Sequence, residues 1–150
     1  LTPAARLAPP AVAEFQLTPD RIGAEVSVAG YSYEDRLPAP VLTFGTLEDS
    51  KGLNGEADVK RLALAALPGD AGGPVVDGTG AVLGMLLPAA EGTGQQLPDG
   101  VSFAASSASV VAFLKGAGLT IRETALTDRL APTDLTRQAT GMTVLVSCWE

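Results

Sequence analysis

Short apolar runs of two-residue period alternate with turn-forming clusters along most of this chain, and one stretch reads as an amphipathic helix. Residues 24–30 (Ala-Glu-Val-Ser-Val-Ala-Gly) place Val26 and Val28 on one face, the pattern of a half-buried strand. Residues 41–47 and 59–66 are further strands, rich in branched and aromatic side chains that suit a pleated surface. Residues 74–76 and 81–87 flank Asp77-Gly78-Thr79-Gly80, a hairpin turn. Residues 101–104 are a last short strand. Ser106 or Ser107 then caps a helix to about Lys115, with Val110, Val111 and Leu114 on one side and Gly116 or Gly118 ending it. Six short strands with turns between them, followed by one helix, predict an all-β fold: a small antiparallel barrel with a C-terminal helix.

The flanks are less regular. Residues 1–22 are rich in Ala and Pro, Pro9-Pro10 excludes regular helix, and residues 11–17 predict a short extended segment. The pattern divides the chain into a barrel with its leader at 1–118 and a tail at 119–150. Residues 128–136 are charged and broken by Pro132. Residues 142–149 alternate, with Val144, Val146 and Cys148 on one face, and predict a return strand over the barrel.

Composition narrows the functional classes. The chain has 150 residues, 46% of them hydrophobic and 18% charged, which excludes a disordered segment and allows one domain with a real core. Its net charge is −7 and its ten basic residues are scattered, so nucleic acid is excluded as a partner. No apolar run approaches the roughly 20 residues that span a bilayer. The start, Leu1-Thr2-Pro3, is not a signal peptide, and the missing initiator Met implies a processed or trimmed chain. Cys148 is the lone cysteine, free to be a buried thiol or to pair with another segment. With no histidine, neither a serine–histidine pair nor a histidine metal site can be built from these residues. No metal-ligand spacing appears, and the glycine-rich stretch lacks the Lys-Ser/Thr ending of a phosphate loop, so no metal and no cofactor are implied. Glu34-Asp35 and Glu48-Asp49 read as solvated loop charges.

The densest chemistry lies in residues 67–77, Leu-Pro-Gly-Asp-Ala-Gly-Gly-Pro-Val-Val-Asp. Gly69, Gly72 and Gly73 permit backbone angles closed to other residues, and a fan of consecutive amides there makes an anion-binding nest. The six-residue run Gly-Asp-Ala-Gly-Gly-Pro, followed by Val-Val-Asp-Gly-Thr-Gly-Ala-Val-Leu-Gly, resembles the nucleophile loop of trypsin-like serine proteases, where serine stands in place of Ala71. The order of strands over about residues 20–116 is similar to the second barrel of these enzymes, especially the HtrA-like branch. The likeness is specific only at the central loop.

The resemblance implies a six-stranded Greek-key barrel, the second half of a chymotrypsin-like fold, with a peptide or protein substrate. It places the nucleophile position at Ala71 and the oxyanion hole at the amides of Gly69 and Ala71. Ala65, six residues before Ala71, becomes the base of the specificity pocket. Ala66 and Leu67 follow it, Leu87, Pro88 and Ala89 form the other wall, and Val101 narrows the mouth. No acidic residue sits at that base, which disfavours Arg or Lys and favours a small or apolar residue before the scissile bond. Leu67 and Leu87 are equally what a plain barrel core would show. Asp70 is read either as the partner of a freed N-terminus or as a cap on the loop amides.

The histidine and aspartate of such an enzyme come from a first barrel, so the resemblance implies a missing N-terminal barrel and a catalytically inactive chain. Ala71 is either a replacement of serine or the natural residue of a pseudoprotease that binds peptide or a cell-envelope partner. A periplasmic or secreted bacterial setting goes with the HtrA-like reading.

Overall fold

A computed structural model describes residues 9–33, 36–89 and 98–146. Cys148, Glu34, Asp35 and most of the Gly- and Pro-broken insertion at 88–100 lie outside them. The strands are β1 Glu14–Gln16, β2 Glu25–Gly30, β3 Val41–Asp49, β4 Val59–Ala63, β5 Pro74–Asp77, β6 Val82–Leu86, β7 Val101–Ser106 and β8 Arg122–Thr124. The helices are α1 Ser107–Gly116 and α2 Pro132–Gly141.

Strands β2 to β7 close into the expected six-stranded antiparallel barrel. Their order is β5-β2-β3-β4-β7-β6, and β5 pairs with β6 to shut the cylinder. Taken alone, β2 to β5 stand in the spatial order of a Greek key, the fourth strand returning beside the first. Closure removes the exposed edges that an open sheet of this size would present. Inside, Val26, Val28, Leu47, Leu62, Leu64, Val75, Leu83 and Leu86 form the core. The two-residue period of β2 places Val26 and Val28 there, as the sequence indicates.

A second apolar layer lies on the outer face of β2, β5 and β6. Phe15, Ala29, Val76, Val82 and Ala139 are buried in it, with Val110, Leu114, Ile121, Leu135 and Met142 packed alongside. It is built from pieces distant in sequence. β1 runs parallel to β6 and to β8, with Phe15 opposite Val82 and Glu123. α1 is capped by Ser106, whose hydroxyl accepts from the Ser109 amide at 3.2 Å, as expected from the sequence.

The tail departs from its expected form. Residues 143–146 form no strand, and Val144 and Val146 are 67% and 60% exposed. The cover comes instead from α2, which starts at Pro132. Proline breaks a helix in its interior but suits the first helical position, where its missing N–H would have had no partner. Leu135, Ala139 and Met142 then recur at helical spacing on the face turned to the barrel.

This cover explains a buried serine. Ser27 alternates outward on β2, yet it is 1% exposed, and its hydroxyl has no hydrogen-bond partner among the described residues. An orphaned buried hydroxyl costs stability, while a same-shape apolar replacement does not. Ser27→Ala is therefore expected to stabilise the fold by about 1 kcal/mol, read as a raised midpoint in urea unfolding. A lowered midpoint would contradict the packing described.

Candidate active-site loop and cleft

Strand β4 ends at Ala63, and the chain enters the central loop through a one-turn 3-10 helix, Pro68–Asp70. Pro68 presets its first turn, and the backbone bonds that follow are short-range. The Asp70 N–H donates to the Leu67 carbonyl at 2.9 Å, and the Ala71 N–H donates to the Pro68 carbonyl at 3.4 Å. Next, the Gly72 N–H reaches the Leu86 carbonyl of β6 at 2.8 Å, and the Gly73 N–H returns to the Asp70 carbonyl at 3.0 Å.

Four successive amides are thus spent inside the protein, and the open anion-binding nest expected from the glycines is not formed. The physical reason is the tight turn, which folds the amides of Asp70, Ala71 and Gly73 back on carbonyls three residues earlier, while that of Gly72 pairs with β6. Of the two amides that the resemblance assigns to an oxyanion hole, Ala71's is turned onto Pro68, at the long end of hydrogen-bonding distance. Gly69's meets no protein acceptor among the described residues.

Asp70 anchors this arrangement. It is fully buried, and its carboxylate accepts from the Ser32 hydroxyl, from the Thr43 hydroxyl at 3.4 Å and from the Leu67 amide at 3.0 Å. No Lys or Arg forms a salt bridge with it among the described residues. Of the two readings of Asp70, the contacts support the loop cap. One carboxylate ties the loop after β2, strand β3 and the start of the 3-10 turn together. Hydrogen bonds to a charged group contribute about 1.5–3 kcal/mol each, which offsets the cost of removing the carboxylate from water.

The glycines are needed for two different reasons. Gly72 has φ +83, a left-handed angle that side chains resist. Gly69 is required by proximity: its carbonyl accepts from the Tyr31 N–H at 3.0 Å, and a Cβ on it would collide with the Tyr31 carbonyl.

Beside the loop lies one open cleft of ≈ 770 Å³. Ala71 borders it, and so do Ala65, Ala66, Leu67, Leu87, Pro88, Ala89 and Val101. The structure therefore gathers on one cleft all the residues placed there from the sequence apart from Gly69, which does not line it. Leu67 is 44% exposed and Leu87 half-buried, so neither is a core residue. Sequence reasoning missed Leu64 just beyond β4, Pro68, Leu86 of β6, Ser102 and Phe103 of β7, and the turn Pro98-Asp99-Gly100. Pro-Asp-Gly announces a turn, but nothing in the sequence shows which way Asp99 faces.

Three solved structures share this architecture. Rv3671c of M. tuberculosis, as a serine-to-alanine mutant in an inactive form, matches with a TM-score of 0.54 at 25% identity, over 71% of this chain and 53% of that one. The active form of the Rv3671c protease matches with a TM-score of 0.54 at 23% identity, over 73% of this chain and 49% of that one. A serine endoprotease of Yersinia pestis matches with a TM-score of 0.56 at 20% identity, over 70% of this chain and 35% of that one.

The barrel has the trypsin-like serine protease fold.

This trypsin-like barrel spans about half the length of the first of those structures. No protein-family model matches the chain. A curated relative, the uncharacterized protein y4bJ of Sinorhizobium fredii, is 30% identical over 135 residues, which is 85% of this chain and 21% of that protein.

The loop geometry orders two substitutions. Gly69→Ala drives a methyl into the Tyr31 carbonyl and is expected to cost about 3 kcal/mol, as a backbone clash in a packed site. Gly72→Ala pays only for its left-handed angle, about 1–2 kcal/mol, because no atom lies within 4 Å of the added methyl. Urea titrations of the two variants check the order, and equal losses would contradict it.

Proposed function

We propose that this chain is the C-terminal barrel of a trypsin-like serine endopeptidase domain, catalytically inactive as it stands, with a peptide cleft retained. The observation that carries the reading is the position of Ala71. It sits where the closed loop meets the cleft, the place of the attacking hydroxyl in the family the sequence resembles. A methyl group cannot add to a carbonyl, and the 150 residues hold no histidine to act as a base. The Pro68 carbonyl also occupies the Ala71 amide, so an oxyanion would have to displace it.

The reaction of the parent enzyme is peptide hydrolysis through an acyl-enzyme. Its histidine and aspartate come from a first barrel, and a small or apolar residue precedes the scissile bond. Ala65 and Ala66 support that preference, since small side chains leave room in the cleft and bring no charge. We assign the chain to the HtrA-like branch, in a periplasmic or secreted bacterial protein. The similar proteins from Mycobacterium, Yersinia and Sinorhizobium support a bacterial source.

A second reading is a natural pseudoprotease that holds peptide or a cell-envelope partner. The open cleft beside a residue without a nucleophile favours it. Both readings share the inactive barrel.

Incubation of the purified chain with casein and with a fluorogenic Ala-Ala-Val peptide is expected to give no turnover above background. Ala71→Ser alone is expected to give none either, because the base is still absent. The same variant joined to a histidine-bearing first barrel should hydrolyse the peptide. Turnover by the 150-residue chain, with or without the serine, would contradict the proposal.

A further inference from the structure

The cleft has a chemical asymmetry that the apolar reading leaves unused. Among its described lining residues, Asp99 alone is charged. Ser102 also reaches the cleft, but its hydroxyl already donates to the Leu64 carbonyl at 2.7 Å. Everything else along the wall is Ala, Leu, Val, Phe, Pro or Gly.

Asp99 is held in place. The Val101 N–H donates to the Pro98 carbonyl at 3.3 Å across the turn, and Gly100 supplies the left-handed angle, φ +84, that such a turn needs at its third position. From the other side, the Leu64 N–H donates to the Gly100 carbonyl at 2.7 Å. The turn is therefore tied to Leu64, the residue before Ala65. Asp99 itself is solvent-exposed and forms no salt bridge among the described residues.

We propose that Asp99 is a specificity-determining residue and that the cleft takes a peptide with an apolar side chain next to a lysine or arginine. The apolar side chain packs on the Ala65, Ala66 and Val101 wall, and the neighbouring cation reaches the exposed Asp99 carboxylate. Charge complementarity commits the choice. An exposed carboxylate attracts a cation and repels acidic peptides, and the chain's net charge of −7 adds to that field. The proposal rests on reading the cleft as a peptide site. It differs from a cation-binding pocket because the lone charge sits on one exposed turn beside an otherwise apolar lining.

The test uses the intact chain and three fluorescein-labelled, end-blocked peptides, Ala-Ala-Leu-X-Ala-Ala with X as Lys, Gln or Glu, titrated by anisotropy. An exposed ion pair contributes little, so the lysine peptide is expected to bind roughly threefold to fivefold tighter than the glutamine peptide. The glutamate peptide should bind weakest, and added salt should narrow the spread. Asp99→Asn is expected to erase the lysine preference, and Asp99→Lys should favour the glutamate peptide. Thermal unfolding of both variants at the native midpoint confirms that the turn survives.

Equal binding of the lysine and glutamine peptides, or a lysine preference that persists in a folded Asp99→Asn chain, overturns this inference and leaves the peptide cleft standing. No binding of any of the three peptides overturns the peptide reading of the cleft, and this inference with it.

Discussion

The buried Asp70 carboxylate is the constraint on which the rest of the site depends. A charge withdrawn from water must be surrounded by donors, and here the donors come from three separate segments: Ser32, Thr43 and the Leu67 amide. Satisfying that carboxylate brings the loop after β2 against the loop after β4, and it seats the 3-10 turn between them. The turn in turn directs the Ala71 amide onto the Pro68 carbonyl. One electrostatic requirement inside the barrel therefore sets the conformation of the residues that border the cleft outside it.

The barrel was legible because its signals are local. Two-residue alternation in β2, the Asp77-Gly78-Thr79-Gly80 turn and the Ser106 cap each depend on a few neighbouring residues, and the structure has all three. Asp77 even reinforces its own turn, accepting from the Thr79 amide and hydroxyl at 2.8 Å and 2.7 Å and from the Ala81 amide at 3.2 Å. The cleft was legible for another reason. Resemblance at the Gly-Asp-Ala-Gly-Gly-Pro loop fixes the numbering of the flanking strands, and strand pairing then brings Ala65, Leu87 and Val101 to one place.

What failed to show in the sequence depends on long-range packing. Pro132 looked like a breaker because its role depends on whether it stands at the start or in the middle of a helix, and only the fold decides that. Alternation puts Ser27 among the residues of β2 next to Val26 and Val28 without revealing what covers its side chain. The glycines suggested an open nest, since conformational freedom does not say which carbonyls the freed amides meet. Gly69 is the clearest case. Its requirement comes from Tyr31, 38 residues earlier in the chain, and no local pattern carries that information.

Together these features describe a protease-type barrel in which the cleft is open while the loop amides beside it are paired within the protein. The most direct measurement is a two-dimensional amide NMR titration of the labelled chain with an end-blocked Ala-Ala-Leu peptide. The account predicts shifts at Ala65, Ala66, Leu87 and Val101, with the amides of Gly72 and Gly73 unmoved, because those two are held by Leu86 and Asp70. Absence of shifts at the cleft, or shifts confined to the outer layer around Phe15 and Ala139, would contradict it.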